Sequence, residues 1–464
     1  MRVWFPGGLP GAFPRALATL ALSGVAGLGL AADASGQPPN IVLIISDDHG
    51  WPDYGFMGSD VARTPHLDRL ASRSLVFTRG YLPSPVCRPS LATLATGLYP
   101  HQHGITGNDP PGAWPRDAWD PANRATMERV FARNENVTEL LARSGYSGHQ
   151  SGKWWEGNPL DHGFAAAMTH GDVTRRGRHG DEGLRIGREG LEPIFDFMRG
   201  LQGPEGQRAP FFIWYAPFLP HTPHDPPDRL LSKYLHGDRH ERVARYLAMV
   251  EWLDETVGEL LQFLDERGLA DNTAVLYVAD NGWIAEESNE AQQRSRAKMS
   301  PYDMGVRTPV MVHWPGHVDP RRDETTLVSS VDIVPTILGI AGIARPEGLP
   351  GVDLRDKAGL AGRTSVFGAT FAHTAVDVDR PEANLKYRTV VREDGWKLVL
   401  PHLPNRDVTL MIRGAIAEWM RFEPELYNVL SDPFETRDLS SEHPELVSEL
   451  RAEIQGWWRV PDRE

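Results

Sequence analysis

The sequence predicts an α/β protein, with a large, mainly parallel central sheet flanked by helices and a smaller C-terminal α+β domain. Three observations lead there. Apolar runs rich in β-branched and aromatic residues, from Asn40 to Ile45, Pro210 to Tyr215 and Thr273 to Val278, read as strands buried on both faces. Helical patterns lie between them, as alternating β and α elements of a parallel sheet require. Near Arg380 the pattern changes to short strands and then a final helix.

Taken in order, Arg2 and Arg15 precede an apolar stretch from Ala16 to Leu30, and Ala32-Asp33-Ala34 offers a small-x-small cleavage site. Residues 1–34 therefore read as a secretory signal, leaving an exported chain, periplasmic or extracellular, with no stable membrane insertion once it is removed. The first strand ends in Ser46-Asp47-Asp48. Thr64 to Ser72 has helix-start chemistry with Pro65 at the first position, and Leu75 to Phe77 is a short strand. Pro89 suits the first turn of a helix running through Leu91, Leu94 and Ala95, which puts Cys87 at a helix N-terminus. Asp109 to Arg124 and His170 to Gly190 read as long loops. Asn136-Val137-Thr138-Glu139 is a capping-box pattern opening a helix that ends at Gly145. Val243 to Arg267 carries apolar residues at helical spacing, Val310 to Val312 is a fourth strand, and Asp332 to Ile340 begins another helix. Tyr387 to Val391 and Trp396 to Leu400 are the short C-terminal strands, and Pro444 to Trp458 is the last helix. The division is thus residues 35–379 and 380–464.

The chain has 464 residues, 41% hydrophobic and 24% charged, the composition of a globular protein. A formal net charge of -14 with no strongly basic stretch excludes nucleic acid as the expected partner. The single cysteine, Cys87, has no internal partner for a disulfide.

Three segments leave buried strands with metal-type or anion-type residues: Asp47-Asp48, His221 and Asp280-Asn281. In open α/β sheets, ligands bind beyond the carboxyl ends of the strands. Three carboxylates and an amide oxygen are hard ligands suited to Ca²⁺, or to Mg²⁺ in a small cage. Loop residues offer weaker signals. His101, His103, His162, His170 and His179, with Arg175, Arg176 and Arg178, read as turn or solvated side chains as readily as ligands. The tryptophans Trp114, Trp119, Trp154 and Trp155 suit stacking on a ring but also ordinary packing.

Around Cys87 the run Cys87-Arg88-Pro89-Ser90, with Thr96-Gly97 further on, resembles the signature of the type I sulfatases of the alkaline-phosphatase-like superfamily. The resemblance extends, in order, through Asp47-Asp48, Gly152-Lys153-Trp154, Pro220-His221-Thr222-Pro223, Asp280-Asn281-Gly282, Lys298 ahead of Gly305-Val306-Arg307-Thr308-Pro309, and Glu425-Leu426-Tyr427-Asn428. It implies an exported sulfatase acting on a sulfate monoester, on a carbohydrate first and an aryl sulfate next. It implies formylglycine made from Cys87 by a formylglycine-generating enzyme, with catalytic Cys87, Lys153, His221 and Lys298. It implies a Ca²⁺ site of Asp47, Asp48, Cys87, Asp280 and Asn281. Two positions depart from the pattern: Leu91 stands where the family carries arginine, and Trp155 where it carries histidine. They leave two alternatives, a phosphoester or phosphonate hydrolase on the same fold and a non-catalytic binder of sulfated glycans.

Overall fold

The computed structural model describes residues 37–112, 116–201, 209–284, 296–402 and 423–460. The expected signal segment and Trp114 lie outside the described residues.

The central sheet is built from β1 (Asn40–Ser46), β2 (Leu75–Tyr81), β3 (Ser147–Gly152), β4 (Ala166–Ala167), β5 (Phe211–Ala216), β6 (Thr273–Ala279), β7 (Arg307–His313), β8 (Arg321–Asp323) and β9 (Val328–Ser329). Its order is β4-β3-β5-β1-β6-β7-β2-β8, with β9 also paired to β2. Every pair from β4 to β6 is parallel, and β7 runs antiparallel to both neighbours. The predicted mainly parallel sheet is therefore present.

Strand alternation sorts the core into two faces. Ile41, Leu43 and Ile45 point to one cluster, with Leu94 of the helix Cys87–Thr96 and Ile337 of the helix Ile333–Ala341. Val42 and Ile44 point to the other, with Met249, Leu253 and Val257 of the helix Glu241–Glu266. Each such large aliphatic side chain, fully buried, contributes roughly 1.5–3 kcal/mol before entropy is counted.

The register aligns the carboxyl ends. Ser46 pairs with Ala279, and Gly152 pairs with Ala216. The segments leaving β1, β3, β5 and β6 therefore emerge on one edge of the sheet: Asp47-Asp48, Lys153, the stretch to His221, and Asp280-Asn281.

A second, antiparallel sheet holds β10 (Ser365–Phe371), β11 (Leu385–Arg392), β12 (Trp396–Pro401) and β13 (Glu425–Asn428). The helix Pro444–Trp457 seats Leu450 and Ile454 on Val390, Leu398, Leu400 and Leu426. The other face meets the large domain through Tyr81, Tyr302 and Val306 against Val366, Val399 and Tyr427. Buried Lys397 bridges the seam, 2.8 Å from Asp303 and 2.7 Å from Glu435.

Several elements differ from expectation. The strand at Leu75 runs on to Tyr81. The predicted loop from Asp109 to Arg124 contains the start of a helix, Pro121–Phe131, capped by the Asp120 carboxylate. The strand Ser147–Gly152 has no apolar run and is held by its two neighbours. The antiparallel sheet takes its first strand from Ser365–Phe371, ahead of residue 380.

Candidate active site

The segments leaving the sheet edge are tied to one another through the backbone. Asp280 N–H donates to the Ser46 carbonyl at 2.8 Å, Asp47 N–H to Leu219 at 2.9 Å, and Lys153 N–H to Ala216 at 2.7 Å. Asp48 sits at φ 59°, a left-handed conformation that aspartate tolerates better than most residues. Its N–H donates to Asp280 Oδ1 at 3.1 Å. Gly152 has φ +85°, and a Cβ there would lie 1.8 Å from the Ala216 carbonyl, so the turn that launches Lys153 admits only glycine.

Cys87 is the first residue of its helix and is buried. One ligand-type atom from each of Asp47, Asp48, Cys87 and His221 lies within 4.8 Å of the others. Lys153 Nζ is 2.7 Å from Asp47 Oδ1 and 3.3 Å from Cys87 Sγ. Lys298 Nζ is 2.7 Å from Asp48 Oδ1 and 3.2 Å from His221 Nε2. Asn281 Nδ2 donates to Asp48 Oδ1 at 2.6 Å. All eight sequence-predicted site residues are thus brought into one linked cluster.

The electrostatics are those of an acidic cluster held between two ammonium groups. Burial pushes the Asp47 carboxyl up; Lys153 pulls against this, while Asp280 and Asp48 add to it. Burial also opposes ionisation of Asp48, but His221 and Lys298 outweigh it and hold that carboxyl below the usual range. Burial lowers Lys153 and Lys298, yet the surrounding carboxylates leave both above the ordinary lysine value. Burial depresses His221. Burial pushes the Cys87 thiol up to about 12, against the pull of Lys153 and Lys298, so at neutral pH it is protonated and a poor nucleophile.

Three oxygens of the cluster, Asp47 Oδ2, Asp280 Oδ2 and Asn281 Oδ1, are buried without a hydrogen-bond partner among the described residues. Orphaned buried oxygens are costly, and carboxylate and amide oxygens at neighbouring strand ends are the donor types of a hard divalent cation. The residues fit such an ion.

Most of the weaker candidates separate from the site, but His179 meets Phe218, which stacks on His221. His103 is buried 3.2 Å from Thr93, and His101 stacks on Trp458. His162 bonds the Glu156 carbonyl at 2.9 Å. His170 meets Asp181 and Glu182 in a group of its own. The Arg88 side chain goes to a buried, two-point ion pair with Glu156, at 2.6 and 2.8 Å. Leu91 packs in the core. Trp155 is buried, with the Arg124 and Arg178 guanidinium groups 5.5 and 5.0 Å from its ring and His179 at 5.1 Å. The arginine and histidine of the family pattern are therefore replaced by packing and by a cationic surround.

Sequence reasoning missed Glu156, Asn108, Asp109 and His373. Asn108 Oδ1 accepts the Arg88 N–H at 2.9 Å, and Asp109 holds Arg178 at 2.6 Å. Only the position of Asp109 at the mouth of a Trp- and Asp-rich loop signalled them.

Residues 39–343 match the family model Sulfatase, and residues 296–400 match N-sulphoglucosamine sulphohydrolase, C-terminal. The chain is 30% identical over 373 residues to N-acetylgalactosamine-6-sulfatase of Rattus norvegicus, covering 72% of this chain and 68% of that protein. It is 25% identical over 495 residues to N-acetylgalactosamine-6-O-sulfatase of Bacteroides thetaiotaomicron, covering 89% and 92%. Among solved structures, Ps i-CgsB in complex with k-i-k-neocarrahexaose superposes with a TM-score of 0.66 at 22% identity, covering 92% of this chain and 94% of that one. Fold and family agree: the chain belongs to the sulfatase family, with the alkaline-phosphatase-like fold. The class of enzyme is sulfuric ester hydrolase.

Proposed function

We propose that this protein hydrolyses a sulfate monoester carried on a carbohydrate, using a nucleophile derived from Cys87 beside a divalent cation, Ca²⁺ or Mg²⁺. The observation that carries the reading is the group of Asp47, Asp48, Cys87 and His221, one ligand-type atom of each within 4.8 Å of the others, with the Lys153 and Lys298 ammoniums bonded to its members. A protonated thiol is a poor nucleophile, which favours conversion of Cys87 to formylglycine by a generating enzyme during export. Formylglycine at this position would supply a hydrated aldehyde, whose hydroxyls are the nucleophile that the thiol is not. Asp47, Asp48, Asp280 and Asn281 are the residues that would hold the cation, which would supply Lewis-acid polarisation of a bound sulfate.

The protein's own groups account for the rest. The Lys153 and Lys298 ammoniums supply fixed positive charge where charge develops on sulfate oxygens. His221 Nδ1 faces the Thr222 carbonyl at 2.5 Å, which fixes its proton on Nδ1 when the ring is neutral and leaves Nε2 toward Lys298. The Lys298 ammonium, oriented by His221 Nε2, is then the group positioned to protonate the leaving alcohol.

The glycan assignment rests on relatives named as N-acetylgalactosamine-6-sulfatases, and export rests on the N-terminal sequence. The test is release of inorganic sulfate from a panel of sulfated monosaccharides, N-acetylgalactosamine 6-sulfate included, and from 4-nitrophenyl sulfate. Protein from a host with a formylglycine-generating system, loaded with Ca²⁺, releases sulfate, and Cys87→Ala abolishes it. Release from phosphate or phosphonate esters alone, or binding of sulfated sugars without turnover, would overturn the reading.

A further inference from the structure

The loop that carries His179 is fastened to the strand end that launches Lys153. Trp154 N–H donates to the His179 carbonyl at 3.2 Å. Thr169 Oγ1 lies 2.9 Å from the Gly180 carbonyl oxygen and 3.3 Å from that of Gly152. A Cβ on Gly180 would come within 2.8 Å of the same Gly152 carbonyl, so the two backbones are in contact. The His179 ring lies 5.1 Å from the Trp155 ring and 5.8 Å from that of Phe218. Phe218 in turn stacks on His221 at 4.3 Å, and the Lys153 ammonium is 5.3 Å from its centre. One aromatic ring is thus shared by His179 and two of the groups around Cys87.

These contacts hold the imidazole without bonding it. Neither ring nitrogen of half-buried His179 has a hydrogen bond among the described residues. Trp155 Nε1, on a buried side chain, is also without a partner among them. Two open polar groups on neighbouring rings call for an acceptor that the protein itself does not provide. The charge of this corner points to the kind of acceptor. Arg124 and Arg178 share the one Asp109 carboxylate, at 3.7 and 2.6 Å, and both guanidiniums lie against the Trp155 ring. Arg88 and Glu156 balance each other. Positive charge therefore exceeds negative here even before Lys153 is counted. Burial, then the Lys153 and Arg178 charges, hold the His179 imidazole well below the ordinary histidine value, so it is neutral at pH 7. A neutral imidazole still has one N–H to donate. In a corner with surplus positive charge, the fitting acceptor is an oxygen of an anion.

Resting on the reading of this site as a sulfatase, we propose that His179 is a substrate-binding residue that donates a hydrogen bond to a sulfate oxygen of the bound ester, its ring fixed between Trp155 and Phe218.

The test uses His179→Leu, which keeps bulk without a donor, and His179→Asn and His179→Gln, whose amides reach for the Nδ1 and Nε2 positions. Each is assayed in the full, Ca²⁺-loaded protein on the sulfated monosaccharide of the panel with the highest kcat/KM and on 4-nitrophenyl sulfate, with inorganic sulfate as competitive inhibitor. The sulfate group is common to both substrates. His179→Leu therefore lowers kcat/KM on both by a similar factor, about tenfold or more, and weakens inhibition by inorganic sulfate. One of the two amide variants recovers part of the loss. A loss on the sugar alone would move the contact to the sugar ring, and no loss, or equal losses in all three variants, would leave His179 a packing residue; each of these results overturns the assignment. Wild-type release of sulfate from 4-nitrophenyl sulfate reports separately on the catalytic reading. If the wild type turns over nothing, calorimetry with inorganic sulfate reads the same contact. Unchanged affinity in His179→Leu, or no binding by the wild type, counts against it.

Discussion

The ammonium of Lys153 lies 3.3 Å from the thiol sulfur of Cys87 and 2.7 Å from Asp47. It therefore links Cys87 to the acidic cluster, and the surrounding carboxylates keep it charged. Lys153→Met should lower kcat about 10²–10³-fold, with less effect on KM, because fixed charge at the reacting centre acts mainly in the transition state, and should also lower stability by stranding the buried Asp47 carboxylate. Steady-state kinetics beside a thermal melt checks this. Activity close to wild type would show that Lys153 is only a structural partner of Asp47.

Cation binding should appear as stability. Asp47 Oδ2, Asp280 Oδ2 and Asn281 Oδ1 are buried without a hydrogen-bond partner among the described residues, and the proposed ion would satisfy them. Dialysis against a chelator should lower the melting temperature, and Ca²⁺ at a hundred times its Kd should restore about 2.7 kcal/mol. Asp280→Ala should flatten that response. A melt indifferent to chelator and to Ca²⁺ would refute the site.

Arg88 and Glu156 form an ion pair whose side chains are 0% and 4% exposed. Breaking it from one side strands a buried charge, so Arg88→Met should cost about 3–5 kcal/mol. Arg88→Met with Glu156→Leu removes both charges and should recover most of that loss. Denaturant unfolding of the two single variants and the double variant gives the coupling directly.

Burial pulls the Lys386 ammonium down to about 8, below its ordinary value near 10.5. Its charged form is disfavoured by folding, so the penalty is full below about pH 8 and fades as pH rises toward the unfolded value. Lys386→Met should be more stable than wild type at pH 7, by roughly 1–3 kcal/mol, with the gap closing toward pH 10. A gap that is absent at pH 7, or that widens with pH, would contradict the sign.

Much of the frame was legible because it is written in hydrophobic patterning. The runs at Asn40, Pro210 and Thr273 are strands because parallel strands covered on both faces must be apolar throughout. The capping box at Asn136 and the proline at position 65 mark real helix starts. The helix from Val137 stops at Arg143 rather than Gly145, a difference within ordinary helix-end fraying. Ser147–Gly152 escaped because its place in the sheet comes from pairing with β5, not from its own side chains. The apolar pattern marks β7 as a strand, but its antiparallel direction depends on partners distant in the chain.

The acidic strand ends were legible for a related reason: a run that stops abruptly at charged residues places those residues at a sheet edge. Glu156, Asn108 and His373 were not. Their roles depend on Arg88, on a backbone pairing between residues 108–109 and 373–375, and on a sheet that begins before the pattern visibly changes.

The most direct test of the central claim is the mass of the tryptic peptide carrying Cys87, from protein purified out of its native host. Conversion to formylglycine lowers that mass by about 18 Da and makes the peptide reactive toward hydrazides, a change distinct from the ordinary oxidation products of a thiol. The proposed mechanism predicts the lighter, hydrazide-reactive peptide. An unmodified thiol in protein that still releases sulfate would contradict it.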